Sequence, residues 1–275
     1  MLPSYLLSLR EGIEAALIIG IVLGALRKSR RPDLAPSLWL GTIAAIAVSL
    51  LAAILLTLFG FELEGTTEVI YEGLTMLLAA GILTWMIFWM SQQARNLKPE
   101  LEEGVNRAAA GGGKRAVFWL AFVAVVREGI ELGLFLTASV FATNALQTSI
   151  GAALGLGTAI LLGWSIFAST VKLDLRRFFQ VTGFLLILFA AGLVAHGVHE
   201  FVEIGIIPAL IDPIWNANAF LPAESILGQF MKALFGYNPT PSLMEMLAYG
   251  AYIGAVWFAL RSSQRKSAMA AQQGV

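Results

Sequence analysis

Cysteine is absent from this 275-residue chain, and histidine occurs only twice. Without thiols there can be no disulfide framework, no thiolate metal site and no redox motif. Charge is scarce as well. Asp, Glu, Lys and Arg make up 13% of the residues and their formal sum is zero, which argues against a nucleic-acid partner. No basic residue precedes the first apolar stretch and no A-x-A-like site follows it, so that stretch reads as a span and not as a cleaved signal peptide.

What is plentiful is apolar surface. The chain is 58% hydrophobic with a mean hydropathy of +0.78, beyond the range of an ordinary soluble domain. Crossing a bilayer takes about 20 helical residues. Runs of that length lie at roughly 4–26, 38–60, 67–90, 116–141, 149–171, 178–203 and 243–261. The expected fold is therefore an all-α membrane protein of seven transmembrane helices, one membrane domain over 1–275.

The basic residues set the expected orientation. Arg27, Lys28, Arg30 and Arg31 follow the first span, and Arg95, Lys98, Arg107, Lys114 and Arg115 lie between the third and fourth. Lys172, Arg176 and Arg177 precede the sixth, and Arg261, Arg265 and Lys266 follow the seventh. All these loops fall on one side, the cytoplasm, which puts the N-terminus outside and the C-terminus inside. Trp39, Trp89, Trp119 and Trp257 fall near the cytoplasmic ends of their spans, where indole rings favour the headgroup region. The 91–115 connection, with PELEEGVNRAAAGGGKR, reads as a short amphipathic helix and a glycine hinge. The outer 204–242 segment reads as a cap on or in the outer interface.

A repeat is also present. REGIE occurs at 10–14 and at 127–131, and LLAAGIL (77–83) answers LFAAGLV (188–194). Two three-helix units, about 4–90 and 116–203, would have opposite orientations because three is odd. The helix at 243–261 is left over. Inverted repeats of this kind place a transporter's substrate site at their interface near mid-membrane.

The REGIE motifs carry the candidate chemistry. On a helix Glu11 and Glu14 share a face, and Arg10 reaches Glu14 at i, i+4; the same holds for Glu128, Glu131 and Arg127. A charge at such depth costs about 2.5–3.5 kcal/mol on insertion scales and faces the bundle interior. One such motif could be a self-neutralising packing lock. Two copies, each with an excess carboxylate, point instead to a cation held by hard oxygen donors: Fe(III), Mn(II), Mg(II) or Ca(II), not Cu(I). Gly12 and Gly129 are expected to let the two motif helices approach closely. Further candidate metal ligands at the outer side are Glu68 and Glu72, and His199, Glu200 and Glu203 of HGVHEFVE, where His196 also lies. A zinc-protease helix is excluded, because H-E-x-x-H needs histidine where this chain has Glu203.

With paired REGIE motifs on spans one and four, the chain resembles the oxidase-dependent iron transporter family, whose hallmark is R-E-x-x-E on two helices. That family contains the fungal high-affinity iron permeases and bacterial EfeU-type permeases. EGLTMLLAAGILTWMIFWM, HEFVEIG and FGYNPTPS match the bacterial branch in particular. The resemblance implies a multi-pass permease of the plasma membrane, the inner membrane in a bacterium. It implies a transporter without enzymatic activity or prosthetic group, importing iron as Fe(II) or Fe(III). Glu11, Glu14, Glu128 and Glu131 would bind the ion, with Arg10 and Arg127 as charge partners. It also implies extracytoplasmic proteins that oxidise or deliver iron. The alternatives are a permease for another cation such as manganese or lead, or a membrane metalloenzyme built on the His196–Glu203 cluster.

Overall fold

The computed structural model describes residues 1–93, 103, 113–168, 175–223 and 225–273. The amphipathic helix and hinge expected between 94 and 112, and the loop at 169–174 with Lys172, lie outside the described residues except for Glu103. Within them the chain is helical and contains no strand. The helices are α1 (Leu2–Lys28), α2 (Ala35–Glu62), α3 (Thr66–Gln93), α4 (Gly113–Ala142), α5 (Ala145–Ala168), α6 (Leu175–Glu203), α7 (Ile226–Phe235) and α8 (Leu243–Gln273).

Among the described residues, five stretches are long and apolar enough to cross a membrane: Pro32–Phe59, Thr66–Trp89, Ala145–Ser165, Arg177–Glu203 and Leu243–Ser262. Their outward faces carry Leu40, Leu51, Ile160, Trp164, Phe184 and Phe258 in the open. Water would not tolerate so large an apolar surface, and acyl chains would. α1 and α4, at 27 and 30 residues, are longer than a bilayer requires but are interrupted by the REGIE charges.

Local chemistry sets the helix ends. α1 starts with Pro3 in its first turn and finishes on Arg27 and Lys28, cations that suit the negative end of a helix. Arg30 then takes a left-handed backbone (φ 53°) and Pro32 opens a 3-10 turn, so the reversal into α2 is tight. Asn144 caps α5 by accepting from the Gln147 N–H at 2.8 Å.

The chain divides into two compact units. The first comprises Met1–Glu64 and Met90–Thr182; the second comprises Gly65–Trp89 and Gly183–Val275. In the first, α1 lies along α5 and α2 along α4, each pair running the same way through glycine contacts. A methyl group at Gly12 would meet the Ala159 Cβ at 2.6 Å, and one at Gly163 the Ala16 Cβ at 2.9 Å. In the other pair Gly129 abuts Ser49, and a methyl at Gly133 would meet the Ala53 Cβ at 3.0 Å. The contacts correspond one to one. Residues 12 and 129, and 16 and 133, differ by 117, while 159 and 49, and 163 and 53, differ by 110. The same offsets relate Gly41 against Phe118 and Ala121 to Gly151 against Met1 and Ser4.

α1 and α4 run in opposite directions. Ile18, Val22, Ala25 and Leu26 of α1 share a core with Val117 and Ala121 of α4, while the REGIE motifs meet further along. The motif glycines do not serve this α1–α4 approach, as was expected of them. Gly12 faces α5 and Gly129 faces α2, so their absent side chains draw each motif helix onto its parallel partner.

In the second unit α3 crosses α6 where Gly73 and Gly197 face each other, a methyl on either coming within 3.2 Å of the other's carbonyl oxygen. The 204–242 segment contains α7, which the turn-rich sequence around it obscured. Ser225 caps it by accepting from the Gly228 N–H at 2.9 Å, and Gly236 ends it in a left-handed turn. That turn packs directly on Gly192, eleven residues and so about 16 Å short of the end of α6. The C-terminal end of α7 therefore rests against the middle of α6. α8 continues past the expected 261 to Gln273, since SSQRKSAMAAQQ contains no helix breaker.

Replacing Gly12 or Gly129 by alanine is expected to lower the thermal midpoint of the purified protein in detergent. Gly157→Ala, which has open space around it, should leave the midpoint unchanged or raise it, as helix propensity favours alanine by about 1 kcal/mol.

Candidate functional site

The two REGIE motifs meet in the middle of their helices within the first unit. Glu11 lies nine residues into α1, and Glu128 and Glu131 fifteen and eighteen residues into α4. Glu11, Glu128 and Glu131 each offer a carboxylate oxygen, and the three oxygens lie within 4.8 Å of one another. Metal–oxygen bonds of about 2.0–2.6 Å put opposed oxygens of one coordination shell roughly 4–5 Å apart. The cluster therefore has the span of a single cation. Among the described residues no other three Asp, Glu or His side chains converge in this way.

Each arginine grips its own motif. Arg10 Nε lies 3.2 Å from Glu14 Oε1, and its Nη1 3.6 Å from Glu11 Oε1. Arg127 Nε donates to Glu131 Oε1 at 3.0 Å and lies 3.8 Å from Glu128 Oε1. The i, i+4 geometry makes these pairs local to one helix, so they form whichever way the helices move. The environments differ: the Arg10 side chain is 2% exposed and that of Arg127 is 39% exposed.

Both oxygens of Glu11, and Oε2 of Glu128 and of Glu131, are buried without a hydrogen-bond partner among the described residues. Folded proteins rarely leave such atoms unmatched, because an unsatisfied buried polar group costs roughly 1–3 kcal/mol and a charged one more. The arginines take one side of the cluster and leave oxygens turned elsewhere. Four carboxylates against two guanidiniums leave a formal charge of −2, which a cation can offset.

The structure differs from the expected four-carboxylate cage in one respect. Glu14 is not in the converging trio; its Oε1 lies 3.2 Å from Arg10 Nε and, like those of Glu11, has no hydrogen-bond partner among the described residues.

The outer candidates lie in the second unit. Glu68 and Glu72 occupy the first two turns of α3, where a helix N-terminus favours negative charge. The Gly73–Gly197 crossing brings Glu72 into electrostatic range of Glu68, Glu200 and Glu203. The histidines are engaged elsewhere. His196 Nδ1 lies 3.0 Å from the Gly192 carbonyl oxygen, and His199 Nδ1 3.0 Å from Glu245 Oε1. Histidine and carboxylates here do not converge into a ligand set like the REGIE trio.

Glu245 was missed from the sequence. It is buried, and its carboxylate accepts from Asn238 Nδ2 at 2.9 Å and from the Ser242 N–H at 3.0 Å. The Ser242 hydroxyl in turn accepts from the Glu245 N–H at 3.3 Å. This is a capping box, and SLME at 242–245 was the readable signal. It ties the start of α8 to His199 and to the 238–242 loop.

Long apolar helices around a buried acid cluster define a helical, multi-pass membrane protein. The pattern of the iron permease FTR1 family matches residues 1–262, and the chain belongs to that family. The ferrous iron permease EfeU of Escherichia coli O157:H7 is 34% identical over 260 residues, covering 94% of this chain and 91% of the relative. That of Shigella sonnei (strain Ss046) has the same identity and coverage. The Yersinia pestis ferrous iron permease EfeU is 32% identical over 255 residues, covering 92% and 90%. No solved structure matches the chain.

Arg10→Gln is expected to destabilise the detergent-purified protein by about 3–5 kcal/mol, the cost of leaving a buried partner charge uncompensated. Arg127→Gln, at a half-exposed position, should cost less than half as much. Denaturant titration of the two variants measures the difference.

Proposed function

We propose that this protein is an iron permease of the plasma membrane, the inner membrane of a bacterium, and that iron crosses through the REGIE cluster. The observation that carries the reading is the convergence of Glu11, Glu128 and Glu131 on one point between two antiparallel helices, with oxygens left unbonded. Membership of the iron permease family supports the cargo, and the relatives' names specify ferrous iron. An all-oxygen donor set suits hard and borderline cations, so Mn(II) is the cation to use as competitor.

In this reading seven helices span the bilayer, the five apolar ones together with α1 and α4. The N-terminus is outside, as the basic loops require. The matched contacts at offsets 117 and 110 support two inverted repeats, 4–90 and 116–203, whose first two helices interlock as α1 with α5 and α4 with α2. Inverted repeats supply alternating access around a site that stays near mid-membrane. Glu14 is the fourth ligand, released when Arg10 changes partner. Glu68, Glu72, His199, Glu200 and Glu203 form an outer group that raises the local concentration of cations. Iron-oxidising or iron-delivering proteins outside the membrane are the partners this function calls for. The protein is a transporter and not an enzyme, and iron is its cargo.

Iron uptake into proteoliposomes tests the reading. Glu11→Gln and Glu131→Gln are expected to reduce uptake at least about tenfold, the effect of about 1.4 kcal/mol, with Glu68→Gln milder. Uptake at the parent rate by Glu131→Gln would remove the cluster from the path.

A further inference from the structure

Ser8 lies on α1 three residues before Glu11, on the neighbouring part of the same face. Helical side chains lean towards the N-terminus, so the Glu11 carboxylate reaches back over the turn that carries Ser8. Ser8 is 0% exposed, and its Oγ has no hydrogen-bond partner among the described residues.

That is unusual for this protein. Ser4, one turn earlier, donates to the Met1 carbonyl at 2.9 Å. Buried Thr137 and Thr182 each donate to the carbonyl four residues back, at 2.9 Å, the ordinary solution for a helical hydroxyl. Thr42 is the other buried hydroxyl without a partner. It lies beside Gly41, which packs at the level of Phe118 and Ala121, about 10 Å along α4 from Glu128. Among the described residues, Ser8 is the buried hydroxyl without a partner that lies one turn from Glu11, whose oxygens are also unpartnered. The two are not hydrogen-bonded to each other, which leaves lone pairs on both free for a third species.

Packing does not demand the hydroxyl. The position matching Ser8 in the second motif helix, at the offset of 117, is Val125, buried and apolar. Ser8 is confined by α5, where a methyl at Gly155 would meet its Cβ at 2.9 Å.

We propose that Ser8 Oγ is a further cation ligand, a neutral hard oxygen that joins Glu11, Glu128 and Glu131 from the side of the α1 N-terminus. This rests on the reading of the REGIE cluster as the cation site. The second motif has no equivalent donor, so the site is chemically one-sided: it adds an uncharged oxygen on the α1 face without adding charge to a buried cluster already at −2.

The test uses full-length protein purified in detergent and titrated with Fe(II) under anaerobic conditions, with thermal midpoint and uptake as readouts. Ser8→Ala removes an unbonded hydroxyl, so the iron-free midpoint should stay the same or rise. Its iron-induced stabilisation should shrink, and the half-saturating iron concentration should rise about tenfold, as for loss of one ligand worth about 1.4 kcal/mol. Ser8→Cys places a thiol in a chain that has no cysteine, so Cd(II) should inhibit iron uptake more strongly than in the parent.

Parent-like iron saturation in Ser8→Ala together with parent-like cadmium sensitivity in Ser8→Cys would overturn the assignment. So would failure of Ser8→Ala to fold, or a lower iron-free midpoint, since either makes the hydroxyl a packing partner. Glu131→Gln separates the two levels: if it binds iron at parent affinity, the cluster reading itself fails. If it loses binding while the Ser8 variants do not, only the Ser8 assignment fails.

Discussion

Carboxylates are hard to keep away from water, and the first unit draws four of them into its interior. A buried charge must be paired, neutralised or bound to an ion. The arginines at i and i+4 supply the pairing within each helix, which makes the motif helices tolerable before any cation arrives. They do not complete it. The carboxylates of Glu11, Glu128 and Glu131 converge, and each has at least one oxygen that no donor among the described residues satisfies, an arrangement that a positive ion would relieve. Function and instability have the same source here.

Holding the carboxylates together falls to residues that lack side chains. Glycines at 12, 129, 133, 151 and 163 let α1 settle against α5 and α4 against α2, and so fix the angle at which the two motifs meet. In lipid the hydrophobic effect does not drive helices together, and close backbone packing takes over much of that work. The two pairs repeat each other's contacts. The symmetry is broken at the charges. Arg10 is enclosed while Arg127 is half exposed, and Ser8 has Val125 as its counterpart.

Much of this was legible in the sequence. Length and hydropathy located the helices to within a few residues, except that α8 runs on to Gln273, and the REGIE spacing gave the local ion pairs correctly, because i, i+4 geometry is a property of the helix alone. Contacts between helices were less accessible. Nothing in REGIE tells that Gly12 serves α5 and not α4, or that Glu14 lies outside the trio. α7 was passed over because it is only ten residues long and sits among Pro-rich turns, although its amphipathic pattern is strong and Ser225 and Gly236 mark its ends. Glu245 looked like one acid among many until SLME was read as a cap. The grouping of His199 with Glu200 and Glu203 came from spacing alone, and the imidazole bonds Glu245 on another helix.

The account stands on one cation lodged between α1 and α4. Anomalous diffraction from an iron-soaked crystal, collected at the iron edge, reads this directly. The result in its favour is a single strong peak about 2.0–2.6 Å from oxygens of Glu11, Glu128 and Glu131. A peak confined to the acids of α3 and α6, with those three carboxylates unoccupied at saturating iron, would contradict it.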